Sequence, residues 1–297
     1  MSATAARVAT RFSTLLTRLE PLESEVARAR TRIALIRARL TAQFHTSKVA
    51  PIGSHSKGTA IRGVSDVDVL AVLRREQLRR GDGYVSSDTL LNWIRDDLDQ
   101  RFASTVVGRN GLAVTLRFGG GEHGVDVVPA VYDRPLANGH PLYLIPDGNG
   151  GWLNTAPSAH ERYLRDANLR SGGKLIRLVR LLKHWRATRT PSIPLSSFHL
   201  ELVLASEGVA EQVAGYSTLV TSALATLADR EGAALRDPLH ISGLVSAAAT
   251  AAQRERLVTA LDGAVANAVA AYEAEQAGQL SEALYRWELV FNRTFPS

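Results

Sequence analysis

One segment of the chain, Ile52–Leu70, reads IGSHSKGTAIRGVSDVDVL and carries more information about the protein than any other. It holds a Gly-Ser pair, eleven further residues, and then Asp66 and Asp68 with a single valine between them. Side chains alternate along a strand, so residues i and i+2 point to one face. Two neighbouring carboxylates repel each other, and a fold tolerates them mainly when a cation lies between them. The segment therefore predicts a site for a hard divalent metal and, at the Gly-Ser turn, for phosphate.

A third aspartate, Asp126, lies in the apolar run VDVVPA, which follows a glycine-rich turn and is typical of a strand. If this strand pairs antiparallel with the strand of Asp66 and Asp68, three carboxylates converge. Three such ligands suit Mg²⁺ or Mn²⁺, and two of these ions support an in-line displacement at phosphorus. A lone Asp-x-Asp is common in strands without any catalytic role. The combination of Asp-x-Asp with the Gly-Ser pair and Asp126 is what favours a catalytic role.

The composition of the 297-residue chain is that of a globular protein, with 45% apolar and 22% charged residues. The absence of cysteine excludes disulfides, thiolate metal sites and cysteine nucleophiles. The net charge of +6 suits a phosphate-bearing partner, either nucleotides or nucleic acid, and an ordinary arginine-rich surface explains it equally well. No apolar run is long enough to span a bilayer, and acidic residues near the N-terminus argue against a transit peptide. We therefore expect a cytoplasmic protein that does not bind a membrane.

The pattern along the chain predicts an α+β fold with a mixed sheet and a helical C-terminal part. Helical periodicity over residues 5–46, interrupted at Pro21, predicts N-terminal helices that brace the rest of the protein. Strand and helix signals alternate in the middle of the chain, and the pattern then turns helical almost to the end. We expect the domain boundaries to be 1–46 for the bracing helices, 47–160 for the core and 161–297 for a helical lobe.

The Gly-Ser…Asp-x-Asp…Asp set resembles the polymerase-β-like nucleotidyltransferases. The sequence around these motifs is closer to one branch, the oligoadenylate synthases and the bacterial CD-NTases, which are relatives of cyclic GMP–AMP synthase. Further blocks share the resemblance: IRLVRLLKHW at Ile176–Trp185, LSSFHLE at Leu195–Glu201 and WELVFNRTFP near the C-terminus. The blocks run from about residue 50 to the end. They imply a polymerase-β-like core, a helical lobe that closes the nucleotide cleft and a long N-terminal bracing helix.

The resemblance also implies a role for each matching position. The residues implied for catalysis and for two Mg²⁺ ions, with Mn²⁺ as a substitute, are Asp66, Asp68 and Asp126. The residues implied for the donor nucleotide are Gly53, Ser54, Lys183, Ser197 and Phe198. Lys183 and Ser197 reach the triphosphate, and Phe198 stacks on the base. Without the resemblance, a solvated lysine and a core phenylalanine would be the favoured interpretations.

Five other positions carry a weaker prediction. Trp152, Asn154 and Thr155 fall where relatives build part of the acceptor-nucleotide pocket, although Trp152 would equally suit a core. Lys57 and Arg62 lie between the Gly-Ser pair and the aspartates, where they meet either phosphate or water.

The resemblance implies a Mg²⁺-dependent enzyme that joins ATP, GTP, UTP or CTP into a cyclic di- or trinucleotide and releases pyrophosphate. It further implies a downstream effector that senses this second messenger in bacterial anti-phage (CBASS) defence. Two alternatives stay open: a linear, 2′–5′ oligoadenylate-like synthase activated by double-stranded RNA, and an RNA-modifying nucleotidyltransferase. A third, a nucleotide-binding module without activity, is disfavoured by the intact set of three aspartates. Whether the chain binds nucleic acid is left open.

Overall fold

The computed structural model describes residues 2–80, 83–119 and 124–296 of the chain. The helices are α1 (Ala3–Leu19), α2 (Glu23–Phe44), α3 (Gly53–Lys57), α4 (Ser87–Arg101), α5 (Pro157–Arg170), α6 (Lys174–Ala187), α7 (Ser197–Ser206), α8 (Tyr216–Asp229), α9 (Ala251–Gln276) and α10 (Leu280–Val290). The strands are β1 (Lys48–Ile52), β2 (Val67–Leu73), β3 (Arg79–Arg80), β4 (Gly83–Tyr84), β5 (Val106–Asn110), β6 (Ala113–Arg117), β7 (Val125–Pro135), β8 (Pro141–Pro146), β9 (Trp152–Thr155), β10 (Leu235–Arg236) and β11 (Leu244–Val245). Short 3₁₀ helices cover Arg75–Leu78 and Val209–Glu211.

The chain divides into two compact units. One is Pro21–Arg162, which carries the large sheet, and the other joins Met1–Glu20 to Tyr163–Ser297 and is mostly helical. The predicted α+β fold with a mixed sheet is confirmed. The two N-terminal helices, however, fall in different units. The helix is interrupted between α1 and α2, and the division between the units lies there, at Pro21. The predicted boundaries of the three segments, and the closing of a cleft by the helical lobe, stay predictions.

The large sheet runs in the order β1-β2-β7-β6-β5, and β8 pairs with the second half of β7 and with β9. Strands β2 and β7 are parallel, whereas the other neighbours in this sheet are antiparallel. The expectation that the strands of Asp68 and Asp126 pair antiparallel is therefore wrong. The chain between β2 and β7 contains α4 and the β5–β6 hairpin, which gives it the length that a crossover between parallel strands needs.

Alternation along β2 separates the two faces of this sheet. Val67 and Val69 belong to a buried cluster that α2 and α4 cover. Leu70 and Val72 point the other way and join a smaller cluster that includes residues of β7 and β8. Because Asp68 stands two residues before Leu70, its side chain lies on the face away from α2 and α4.

An aromatic cluster ties α1 to the C-terminal segment in the helical unit. Phe12 is fully buried. Its ring centroid lies 4.9 Å from that of Trp287 and 5.0 Å from that of Phe295, both in edge-on orientations. Aromatic pairs prefer this geometry. The contact explains why α1 groups with the C-terminal helices and not with α2.

Strands β1, β8 and β9 were not predicted from the sequence. Each is short, and β1 and β8 contain proline, which is depleted in strands and obscures their pattern. Across the described ranges, no helix is both long and apolar enough to cross a membrane.

Candidate active site

The parallel pairing of β2 and β7 sets two of the predicted aspartates side by side. Asp68 is in register with Asp126, and Asp126 is in register with Thr115 of β6 on its other side. Residues in register share a face of the sheet, so the two carboxylates lie next to each other, away from α2 and α4. Asp66 immediately precedes β2, at the end of the sheet where β7 also begins.

Asp66 is held by two donors, one at the end of β6 and one immediately before β7. Its Oδ1 accepts a hydrogen bond from the backbone N–H of Gly124 at 2.7 Å and lies 2.7 Å from a terminal guanidinium nitrogen, Nη1, of Arg117. Arg117 ends β6 two residues after Thr115, and it therefore shares the face of Asp126. Its guanidinium supplies one positive charge to the aspartates.

The fold opposes the ionisation of Asp126. The pKa of Asp126 is raised above its ordinary value because burial penalises the charged form and because the Asp66 carboxylate repels it, while Arg117 acts in the opposite direction. The Oδ1 atom of Asp126 is buried and has no hydrogen-bond partner among the described residues. Buried polar atoms are nearly always satisfied, and a bound cation is one way to satisfy this oxygen.

The donor atoms suit a divalent metal, but they are not arranged as a finished metal site. Carboxylate oxygens are the ligands that Mg²⁺ and Mn²⁺ prefer. In the described part of the chain, however, no group of three or more His, Asp or Glu side chains is placed to hold a metal ion. Asp66 is engaged by Arg117 and Gly124 instead. The chemistry of the three carboxylates fits the metal, and their joint use requires the contacts of Asp66 to change.

Both the backbone conformation at position 53 and the nearby side chain of Asp68 require a glycine there. Its φ of +67° lies in the left-handed region that favours glycine. A Cβ atom built on Gly53 would lie 2.1 Å from Oδ2 of Asp68. No side chain fits there unless the aspartate moves, so the predicted Gly-Ser turn and the aspartates are adjacent in space.

The remaining predicted phosphate contacts lie on α3 and just after it. Gly53 and Ser54 open α3, which is only five residues long and too short to build much of a helix dipole. Lys57 ends this helix, Arg62 lies in the turn that follows, and both side chains are half-buried. The structure thus brings the Gly-Ser pair to the aspartates, while the roles of Lys57 and Arg62 stay predictions.

The predicted nucleotide-binding residues of the helical unit lie on α6 and α7. Nζ of Lys183 donates a hydrogen bond to Oε1 of Glu201 at 2.7 Å, and the two side chains are only 5% and 4% exposed. Lys183 is therefore not a solvated charge on a helix. Ser197 opens α7 after its cap, Ser196, and stands one turn before Glu201. Phe198 is half-buried. The contact of these residues with a nucleotide stays a prediction.

The three predicted acceptor residues lie along β9 and point alternately to its two faces. Trp152 packs against the core cluster under α2 and α4, and Asn154 points to the same side. Thr155 is in register with Tyr143, which belongs to the cluster on the aspartate face. The structure therefore does not bring Trp152 or Asn154 to the aspartates, and only Thr155 shares their face.

Sequence reasoning missed Arg117, Gly124 and Glu201. For Glu201 there was a signal, since it is the single acidic residue within the apolar run of α7, and such a residue is buried only when it is paired. For Arg117 the signal is weak, because alternation along β6 gives its face but not the strand that β6 pairs with.

Comparison with protein families gives one match that covers more than half of the chain. The model of the Second Messenger Oligonucleotide or Dinucleotide Synthetase domain matches residues 7–168. This range contains the Gly-Ser pair and all three aspartates.

Two curated proteins and one solved structure illustrate the similarity. A probable cyclic nucleotide synthase of Bacillus cereus (strain VD146) is 24% identical over 285 residues, with 84% of this chain and 82% of that protein covered. The cyclic AMP-AMP-AMP synthase of Escherichia coli (strain MS 115-1) is 29% identical over 169 residues, covering 54% of this chain and 50% of that protein. The structure of CdnC from E. coli MS115-1 with ATP aligns over 98% of both chains, with a TM-score of 0.73 and 20% identity. It therefore has the same fold.

Proposed function

Since the chain belongs to the Second Messenger Oligonucleotide or Dinucleotide Synthetase family, and so to the CD-NTase nucleotidyltransferases, we propose that it makes a cyclic di- or trinucleotide from nucleoside triphosphates. The single observation that carries the proposal is the aspartate row: Asp68 in register with Asp126 across β2 and β7, with Asp66 at the same end of the sheet. Two adjacent carboxylates, one with a buried oxygen that lacks a partner among the described residues, call for a cation. Related proteins are named as cyclic nucleotide synthases, which supports the cyclic product.

The proposed reaction is an in-line nucleotidyl transfer. The acceptor hydroxyl oxygen forms a bond to the α-phosphorus of the donor while the bond to the α,β-bridging oxygen breaks, and pyrophosphate leaves with that oxygen. A second transfer within the linear product closes the ring. When bound to the three aspartates, two Mg²⁺ ions would stabilise the attacking and leaving oxygens. The hydroxyl proton passes to one of the carboxylates beside the reacting oxygen.

The predicted nucleotide-binding residues are proposed to position the donor nucleotide. Gly53 lets the backbone approach the triphosphate beside Asp68, and Ser54 adds a hydroxyl donor. Lys183 and Ser197 add further donors to the triphosphate. An ammonium group has three donors, so the bond from Lys183 to Glu201 does not by itself exclude a phosphate. Phe198 stacks on the donor base.

The wider setting is also part of the proposal. The product acts as a second messenger that a downstream effector reads in anti-phage (CBASS) defence, and the enzyme works in the cytoplasm, where nucleoside triphosphates are available. Solved structures of similar proteins with ATP or GTP support nucleotides as substrates. The basic net charge of +6 favours one second candidate, a linear synthase that double-stranded RNA activates.

The test is to incubate the purified protein with Mg²⁺ and the four nucleoside triphosphates, singly and mixed, and to identify the products by mass spectrometry after phosphatase treatment. A cyclic product has no terminal phosphate, so we expect phosphatase-resistant cyclic di- or trinucleotides that are absent when Asp68→Asn replaces the wild type. The variant Arg75→Gln, which breaks an exposed ion pair with Asp133 elsewhere in the same unit, serves as the matched control and should keep the activity.

Each rival function predicts a different outcome of the same experiment. Phosphatase-sensitive oligonucleotides that form only after double-stranded RNA is added would identify the linear synthase. Labelling of added transfer RNA without small products would identify an RNA-modifying enzyme. Binding of nucleoside triphosphates in calorimetry with no turnover in Mg²⁺ or Mn²⁺ would identify an inactive binding module. Any of these three results overturns the cyclic-nucleotide proposal.

A further inference from the structure

Arg117 occupies a position among the aspartates that the proposed reaction does not use. Its Nη1 lies 2.7 Å from Oδ1 of Asp66, and the same oxygen accepts the Gly124 backbone hydrogen bond. The guanidinium lies directly over Gly124, since a Cβ atom there would be 2.2 Å from Nη1. A glycine at this position therefore makes the contact between Arg117 and Asp66 possible.

One carboxylate oxygen at the site stays unsatisfied even with this arginine in place. The buried Oδ1 of Asp126 has no hydrogen-bond partner in the described residues. Among the residues that the structure describes, no group of three or more His, Asp or Glu side chains is placed to hold a metal ion, and Oδ1 of Asp66 is engaged by Arg117. One positive charge thus stands where the proposed function requires the charge of a divalent metal.

We propose that Arg117 competes with divalent metal for Asp66 and so sets the metal affinity of the aspartate site. The inference rests on the proposed metal-dependent function. Binding of metal releases Asp66 from the guanidinium, because a divalent ion and an arginine held on the same carboxylates repel each other. The side chains of Arg117 and Asp66 are 38% and 33% exposed, so their pair is screened by water and is cheap to separate.

The position of Arg117 in the fold allows this exchange. It is the last residue of β6, and its long side chain reaches solvent, so the guanidinium can turn outward without unpairing the strand. An arginine keeps its charge at every physiological pH. The competition therefore depends on the concentration of metal and not on the ionisation of Arg117.

The test measures the binding of Mn²⁺ alone, without nucleotide, by the loss of the free-ion electron paramagnetic resonance signal. Arg117→Gln removes the charge and keeps a polar side chain, and we expect its Mn²⁺ dissociation constant to fall about fivefold to tenfold. Arg117→Lys keeps the charge and should stay within about twofold of the wild type. Arg75→Gln, which breaks the half-exposed pair with Asp133, is the matched control and should leave the constant unchanged.

An unchanged or weaker affinity for Mn²⁺ in Arg117→Gln overturns the competition. So does an equal gain in Arg75→Gln, which would show a general effect of the net charge. The double variant Arg117→Gln/Asp126→Asn separates this failure from failure of the proposed function. If Mn²⁺ binds the single variant and is lost from the double variant, the aspartates hold the metal. If neither the wild type nor any variant binds Mn²⁺ at the aspartates, the competition is overturned, whereas the metal-dependent function fails only if pyrophosphate release from nucleoside triphosphates does not depend on Mg²⁺.

Discussion

Two ion pairs with the same separation lie in very different surroundings. In the sheet unit, Arg117 and Asp66 are 2.7 Å apart with their side chains 38% and 33% exposed. In the helical unit, Lys183 and Glu201 are also 2.7 Å apart, but only 5% and 4% exposed. A half-exposed pair contributes about 0–1 kcal/mol to stability because water screens it. Separation of a buried pair leaves an unpaired charge and costs about 3–5 kcal/mol.

The difference in exposure determines which charges can change partners. At the aspartates, Asp66 can exchange the guanidinium for another cation at little cost, as a metal site that fills and empties requires. On α6 and α7, the bond from Lys183 to Glu201 fixes the ammonium beside the start of α7, as a preorganised contact requires. An ion pair of the same length is thus easy to separate in the sheet unit and costly to separate in the helical unit.

The largest expected effect comes from breaking the buried pair. Glu201→Gln removes the carboxylate charge that the buried ammonium of Lys183 contacts and should lower the free energy of unfolding by about 3–5 kcal/mol. Arg117→Gln should lower it by about 1 kcal/mol or less. Urea denaturation followed by circular dichroism measures both.

The matched control for the buried pair is Glu211→Gln, which breaks an exposed pair with Arg170 in the same helical unit and should cost no more than about 1 kcal/mol. The double variant Lys183→Met/Glu201→Leu should recover most of the loss, because no charge is then left unpaired. If Glu201→Gln and Arg117→Gln cost the same, the contrast between the two pairs does not hold.

The next prediction concerns a smaller loss of stability. It tests how closely Gly53 packs against Asp68 in the aspartate site. Gly53→Ala should cost about 1–3 kcal/mol, because Gly53 has a positive φ and its new Cβ would lie 2.1 Å from Oδ2 of Asp68. Gly63 has a similar φ of +71° but no atom within 4 Å of a new Cβ. Gly63→Ala therefore isolates the backbone cost of about 1 kcal/mol. Equal losses of stability in the two variants would show that Asp68 does not constrain Gly53.

The smallest effect concerns the balance of charge around Asp126. Its pKa is raised in the folded protein, so the folded state binds more protons than the unfolded chain between the two pKa values. Stability therefore falls as pH rises through that window. In a metal-free buffer with chelator, Asp126→Asn should gain about 0.5–1 kcal/mol at pH 7, and the gain should vanish below about pH 4.

The pH experiment also sharpens the contrast between the pairs. In an Arg117→Gln background the gain from Asp126→Asn should be larger, because the guanidinium no longer offsets the charge on Asp126. Thermal melts across the pH range measure this difference. Asp133→Asn, which removes the partner of Arg75, should show no gain at pH 7. A gain for Asp126→Asn that persists unchanged at pH 3 would contradict the electrostatic cause.

Much of the aspartate site was predictable because its signals are local in the chain. The Asp-x-Asp spacing gives adjacent carboxylates from the alternation of a strand alone, and the apolar run VDVVPA and the Gly-Ser pair add Asp126 and Gly53. The partners of Asp66 were not predictable. Arg117 reaches Asp66 through the pairing of β6 with β7 and of β7 with β2, and alternation along one strand contains no information on its neighbours.

The error in strand direction has the same physical origin. The antiparallel expectation for β2 and β7 failed because a register between distant strands depends on the whole sheet and not on either sequence. The acceptor role of Trp152 and Asn154 stays a prediction, and the pairing of β9 turns Trp152 to the face opposite the aspartates. Alternation along the sequence thus predicts which residues of one strand share a face. Pairing between distant strands decides which other residues lie on that face.

The central claim is that the aspartate row is the catalytic centre of a metal-dependent nucleotidyltransferase. The most direct measurement is the rate of Mg²⁺-dependent pyrophosphate release from nucleoside triphosphates by the wild type, Asp68→Asn and Arg75→Gln, all shown to be folded by circular dichroism. We predict that Asp68→Asn lowers the rate on the order of a thousandfold, and that Arg75→Gln stays within about twofold of the wild type. Pyrophosphate release by a folded Asp68→Asn variant at close to the wild-type rate would contradict the account.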